Sequence, residues 1–103
     1  MGRVVWRSKA KSDLGAIFDY IATDSPTRAG AFLTRLVEFA ELLSDNPLLG
    51  PARISTLPQL RIYPFRDYIF IYKPMADGVE VVRLIHGARD YHAIAHDMQD
   101  DDE

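Results

Sequence analysis

The hydrophobic period of this sequence changes once, and that change constrains the fold more than any other feature. Up to about residue 44 apolar residues recur every three to four positions; from Leu60 they recur every two. The first spacing puts side chains on one stripe of a helix, and the second puts them on one face of a strand. A chain of 103 residues holds one domain. The two halves must therefore stack, with a helical layer on a sheet.

Residues 3–7 (RVVWR) are β-branched and aromatic and predict a first strand. Ser8 is placed to cap a helix over 9–23, where Ala10, Leu14, Ile17, Phe18 and Ile21 form one stripe. Ser25 and Pro26 then start a second helix, as N-cap and first helical residue. Ala29, Phe32, Leu33, Leu36, Val37, Ala40 and Leu43 carry its period to about residue 44. So short a connection gives an antiparallel helical hairpin. DNPLLGPAR (45–53) ends the second helix.

Strands are predicted over 60–64, 68–74 and 79–86, with Arg66 and Asp67 at one turn and Ala76–Gly78 at the other. A short last helix is expected from Tyr91 to about Met98, capped by Asp90. The fold class is α+β, in the order β-α-α-β-β-β(-α), with an antiparallel sheet covered on one face by the hairpin. Tyr68–Tyr72 are apolar on both faces. The face away from the hairpin is thus expected either to lie bare, edged by Arg61, Arg66 and Arg83, or to be covered by the last helix.

The net charge of −3 hides a division. Asp97, Asp100, Asp101, Asp102 and Glu103 hold five of the 15 acidic residues, which leaves residues 1–96 with ten acids against twelve bases. Nine of those bases are Arg, whose fork suits carboxylate and phosphate. Residues 1–96 are read as the domain and 97–103 as an acidic, disordered tail. The absence of cysteine excludes disulfides and thiol chemistry. No apolar run approaches the ~20 residues of a membrane span, and MGRVVWRSKA lacks the apolar middle of a signal peptide. The expected location is the cytoplasm.

Few chemistries survive inspection. His86, His92 and His96 lack the cysteines or HExxH spacing of a zinc site, so no metal and no cofactor is expected. No GxSxG turn or Gly-rich phosphate loop is present. Asp13, Asp19, Asp24, Glu38 and Glu41 are assigned to solvent-facing helix positions, as solubilising charge. By alternation His86 shares a face with Val82 and Leu84, which favours an interior, hydrogen-bonded histidine. Metal-free RNA cleavage needs a base, a cation for the phosphorane and an acid. Residues of those types occur at His86, Arg89, Tyr91, His92, Arg83 and Arg61, with nothing in the sequence to show that they converge.

Four segments, in order, resemble the RelE/ParE superfamily of bacterial toxins. They are KAKSDLGAIFDYIA (9–22), NPLLGPAR (46–53), LRIYPFRDYIFIYKP (60–74) and VVRLIHGARDY (81–91), the last nearest to the ParE branch. The resemblance implies the toxin of a type II toxin–antitoxin module that inhibits DNA gyrase by binding. It also implies neutralisation by a ParD-type antitoxin that folds on the toxin surface. For antitoxin contact it points to Phe18, Ile21, Phe32 and Leu36, which are alternatively plain core, and to Arg61, Arg66 and Arg83. Arg89, Tyr91 and His92 are the expected target contacts. No direct DNA binding by the toxin alone is implied. In a RelE-like, ribosome-dependent mRNA endonuclease the catalytic residues would be His86, Arg89 and Tyr91. A non-toxic, binding-only relative is the third reading.

Overall fold

A computed structural model describes residues 2–87. β1 (Arg3–Trp6) leads into α1 (Ser8–Ala22) and α2 (Pro26–Asp45), followed by β2 (Arg61–Phe65), β3 (Tyr68–Met75) and β4 (Gly78–His86). The expected final helix, its Asp90 cap, and Arg89, Tyr91 and His92 lie outside the described residues.

The helices start by different means. Ser25 Oγ accepts the Arg28 N–H at 3.2 Å and Pro26 stands at the first position, as the sequence predicts. At α1 the N-cap is Arg7, not Ser8, and no side chain caps the helix there. The reason is geometric. Arg7 is extended, and its N–H bonds the Val81 carbonyl at 3.0 Å, so the strand runs directly into the helix.

The sheet order is β1-β4-β3-β2. β2, β3 and β4 form the expected antiparallel meander, and β1 joins β4 in parallel, making the sheet mixed. Gly78 is required at the β3–β4 turn: its φ is +156°, and a Cβ there would strike the Arg3 carbonyl of the neighbouring strand. Tyr72 pairs with Val81 and Ile71 with Arg83, so Val82 is an extra residue in β4. This bulge explains the imperfect alternation of VEVVRLIH. Val81 and Leu84 face the helices, while Val82 faces away.

The hairpin side of the sheet buries Ile17, Leu36, Ala40, Leu43, Phe70, Tyr72, Val79, Val81 and Leu84. The far side is neither bare nor dependent on a last helix. The segment between α2 and β2 folds back across it, and Ile54 and Leu60 join Ile62, Ile71, Val82 and Ile85 in a second buried cluster, with Leu57 packed beside them. Successive turns shape that segment: Leu57 N–H bonds Ile54 O, and Leu60 N–H bonds Leu57 O, each at 3.0 Å. The expectation of an exposed apolar flank is therefore corrected. The sequence reading stopped at the helix-ending stretch 45–53 and missed that Ile54, Leu57 and Leu60 recur every three residues.

Candidate functional site

With the far face closed, a long stretch of accessible apolar surface among the described residues runs on the hairpin side, along α2. The helix carries two adjacent stripes. Ala29, Leu36, Ala40 and Leu43 are buried in the core. Beside them run Arg28, Phe32, Arg35, Phe39 and Leu42, spaced four, three, four and three apart, which is the spacing of a helix–helix seam. The seam spans about 21 Å at the 1.5 Å rise of a helix.

Aromatic rings form its floor. Phe39 lies 4.9 Å from Phe65, 5.2 Å from Tyr63 and 5.5 Å from Phe70, between ring centres. Phe32 sits 5.7 Å from Tyr68. Two open depressions follow the seam. One of about 440 Å³ is lined by Arg35, Glu38, Phe39, Leu42, Phe65 and Arg66. The next, of about 280 Å³, is lined by Ile21, Arg28, Ala31, Phe32, Arg35 and Arg66. Arg35 and Arg66 border both, so the depressions form one groove between α2 and the β2–β3 turn. Open, aromatic-floored hollows of this kind suit side chains of a docked polypeptide better than one enclosed small molecule.

The charges are arranged for contact. Arg35 and Arg66 form no ion pair among the described residues. Arg28 has only an exposed partner, Asp24, at 3.6 Å. Arg66 holds its backbone at φ 58°, the left-handed region, where a residue with a Cβ is strained by about 1–2 kcal/mol. The guanidinium carbon lies 5.9 Å over the Phe65 ring, at the groove edge. Burial, and after it Tyr20 and Asp67, raises the Tyr68 hydroxyl above its ordinary value, so it stays a neutral donor at physiological pH.

The residues singled out in the sequence divide between groove and scaffold. Ile21, Phe32 and Arg66 line the groove. Leu36 is wholly buried in the core, and Phe18 is half-buried on α1. Arg83 is turned inward: its Nε and Nη2 donate to both oxygens of Asp13 at 2.8 and 3.0 Å. Asp13 also accepts the Leu84 N–H at 2.9 Å, so it is a half-buried structural carboxylate rather than a solvent-facing one. β1 pairs β4 only as far as Val81, and Asp13 takes the amide that the shorter strand leaves open. Arg61 donates to the carbonyls of Gly50 and Leu48 at 2.7 and 3.4 Å. His86 is exposed, edge-on to Tyr68 at 5.5 Å between ring centres. His86 keeps the face of Leu84, as alternation predicts, but it is the last residue of β4 and lies open to solvent there rather than inside, while Val82, at the bulge, turns to the other face. Among the described residues no set of three or more His, Asp or Glu groups is placed to hold a metal, and no helix is long and apolar enough to cross a membrane.

Sequence reasoning missed Arg28, Arg35, Phe39 and Phe65. The signal was present: a second heptad-spaced stripe ran next to the core stripe of α2, and its alternation of Arg with Phe marked it as something other than core.

Comparison with known proteins agrees with this architecture. The sequence model for the ParE toxin of the type II toxin–antitoxin system parDE matches residues 4–91. A protein of Caulobacter vibrioides named Toxin RelE2 is 40% identical over 90 residues, covering 86% of this chain and 99% of its own length. A second from the same organism, Toxin ParE3, is 27% identical over 88 residues, covering 84% of this chain and 88% of its own. A chain from the chromosomal ParDE system of P. aeruginosa shares the fold with a TM-score of 0.69 at 24% identity, over 84% of this chain and 96% of that one. This chain belongs to the ParE toxin family of the RelE/ParE superfamily, the toxins of type II toxin–antitoxin systems.

Proposed function

We propose that the chain is a cytoplasmic toxin that acts by binding, with DNA gyrase as target, and that a ParD-type antitoxin silences it by occupying the α2 groove. One observation carries this reading: a heptad-spaced seam of Arg and Phe is left open beside a fully closed core. An antitoxin helix fits it with apolar residues over Phe32 and Phe39, and with acids against Arg35 and Arg66. Such pairs strengthen as the helix excludes water. The neutralised Arg66 also offsets the strain at its backbone. The match to the parDE toxin model supports gyrase as the target.

The relative named RelE2 favours a second reading, ribosome-dependent mRNA cleavage. The exposed His86 beside Tyr68 is a suitable surface pair for a stacked nucleotide. Expression in cells lacking the partner separates the two readings. Gyrase-dependent DNA breaks with an SOS response are expected, and growth should recover when the antitoxin is supplied. Cleaved mRNA ends positioned by the ribosome, with DNA intact, would replace the gyrase reading by the nuclease one.

A further inference from the structure

We infer that the acidic segment 97–103 of this chain docks in its own α2 groove, against Arg35 and Arg66, and holds the groove partly closed to the antitoxin. The docking stands on the groove and the segment alone; its consequence for the antitoxin rests on the function proposed above. Three observations select this occupant. The first is where the chain leaves the sheet. β4 ends at His86, paired with Tyr68, and the Gly87 N–H bonds the Asp67 carbonyl at 2.7 Å. Arg66, next to Asp67 in that turn, lines both hollows, and Tyr68 lies against Phe32 on the groove floor. The chain beyond Gly87 therefore sets out from the rim of the groove.

The second observation is reach. Asp97 follows Gly87 by ten positions, which cover about 15 Å as a helix and about 33 Å when extended. Arg35 and Arg66 border the same hollow, so acids that arrive at one are near the other. The third is charge. Five of the seven side chains in 97–103 are carboxylates and none is basic. The two hollows are lined by three arginines, Arg28, Arg35 and Arg66, and one acid, Glu38. Arg3, Arg7 and Arg83, by contrast, are matched by Asp77, Glu80 and Asp13. Met98, among the acids, supplies an apolar group for the ring floor. One exposed ion pair contributes little. Several on one chain gain from a high effective concentration, because the segment cannot diffuse away. A groove filled for about two-thirds to nine-tenths of the time weakens apparent antitoxin binding about three- to tenfold.

The chain has no cysteine, so Gln99→Cys offers one attachment point for a nitroxide among the acids. In the full chain the label is expected to quench the amide NMR signals of Phe32, Arg35 and Phe39 and to spare those of Ile54 and Leu60 on the far face. Arg35→Glu should restore the signals, and so should neutralising the acids (Asp97→Asn, Asp100→Asn, Asp101→Asn, Asp102→Asn and Glu103→Gln). Salt at about 1 M, where the screening length is about 3 Å, should do the same. The neutralised chain should bind the antitoxin about three- to tenfold more tightly than wild type. Groove signals that the label leaves intact overturn the inference, and so does quenching that survives neutralisation. Quenching that falls only on a second, unlabelled copy also overturns it, since the contact is then between molecules. Antitoxin binding no tighter in the neutralised chain overturns the competition. If Arg35→Glu then releases the segment yet leaves antitoxin affinity within about threefold, the groove reading of the antitoxin has failed and the docking stands.

Discussion

The two faces of the sheet spend the same residue types differently. On the far face Ile54, Leu60, Ile71, Val82 and Ile85 close on one another. On the hairpin face the core is equally closed, but a second layer of Phe32, Phe39 and Phe65 lies over it with open hollows and arginines above. The arginines divide in the same way. Arg61 and Arg83 are bound to carbonyls and a carboxylate of this chain, whereas Arg35 and Arg66 border the open hollows, Arg66 over the Phe65 ring. Residue type alone therefore does not mark a partner surface. What marks it is a polar or apolar group the fold leaves without full use.

Substitutions on the satisfied side should cost stability and leave partner binding alone. Asp13→Ala is expected to cost most, about 3–5 kcal/mol, because it removes the carboxylate that holds the half-buried Arg83 guanidinium at two points and accepts the Leu84 N–H. Denaturant unfolding reads this directly, and a loss below about 1 kcal/mol would show that the pair is not structural. Ile54→Ala should cost about 2–4 kcal/mol if the far face is a true core. A near-neutral result would mean that residues 51–60 merely rest on the sheet.

Tyr72→Phe removes two buried hydrogen bonds and should cost about 1–3 kcal/mol. It also has a pH signature. Burial, the largest influence on Tyr72, raises its hydroxyl above the ordinary value of 10.0. The folded state thus keeps this proton after the unfolded state has lost it. The stabilisation is complete below pH 10 and is lost as pH rises through the higher folded value. The variant should lose stability less steeply above pH 10, measured by urea unfolding across that range.

Arg66→Gly is the smallest change and the most pointed. It should stabilise the chain by about 1 kcal/mol, since glycine takes φ 58° without strain. At the same time antitoxin binding should weaken about tenfold, or ~1.4 kcal/mol. Opposite signs in the two measurements would show that the strained arginine is kept for contact.

The elements were largely legible in the sequence because local patterns set them: the period switch, the Ser25–Pro26 helix start and the turn residues. The misreadings were non-local. Parallel addition of β1, closure of the far face by Ile54 and Leu60, and the Arg83–Asp13 pair each join residues far apart in sequence. One extra residue in β4 sends Val82 to the far face, and the strand's end leaves His86 exposed on the face it was expected to share with Leu84. Of the residues lining the groove, Ile21 and Phe32 were singled out in the sequence, and Arg66 too, although it was expected to edge the far face of the sheet. Arg35 and Phe39 escaped because a half-exposed stripe beside a buried one reads as the edge of the core.

The central claim is that the open α2 seam is the surface on which the antitoxin docks. Calorimetric titration of antitoxin into the wild-type chain and into Arg35→Glu tests it most directly, with a thermal melt of each. The account predicts at least about 30-fold weaker binding, ~2 kcal/mol, with the melting midpoint shifted by no more than about 2 °C. Affinity held within threefold of wild type would contradict it.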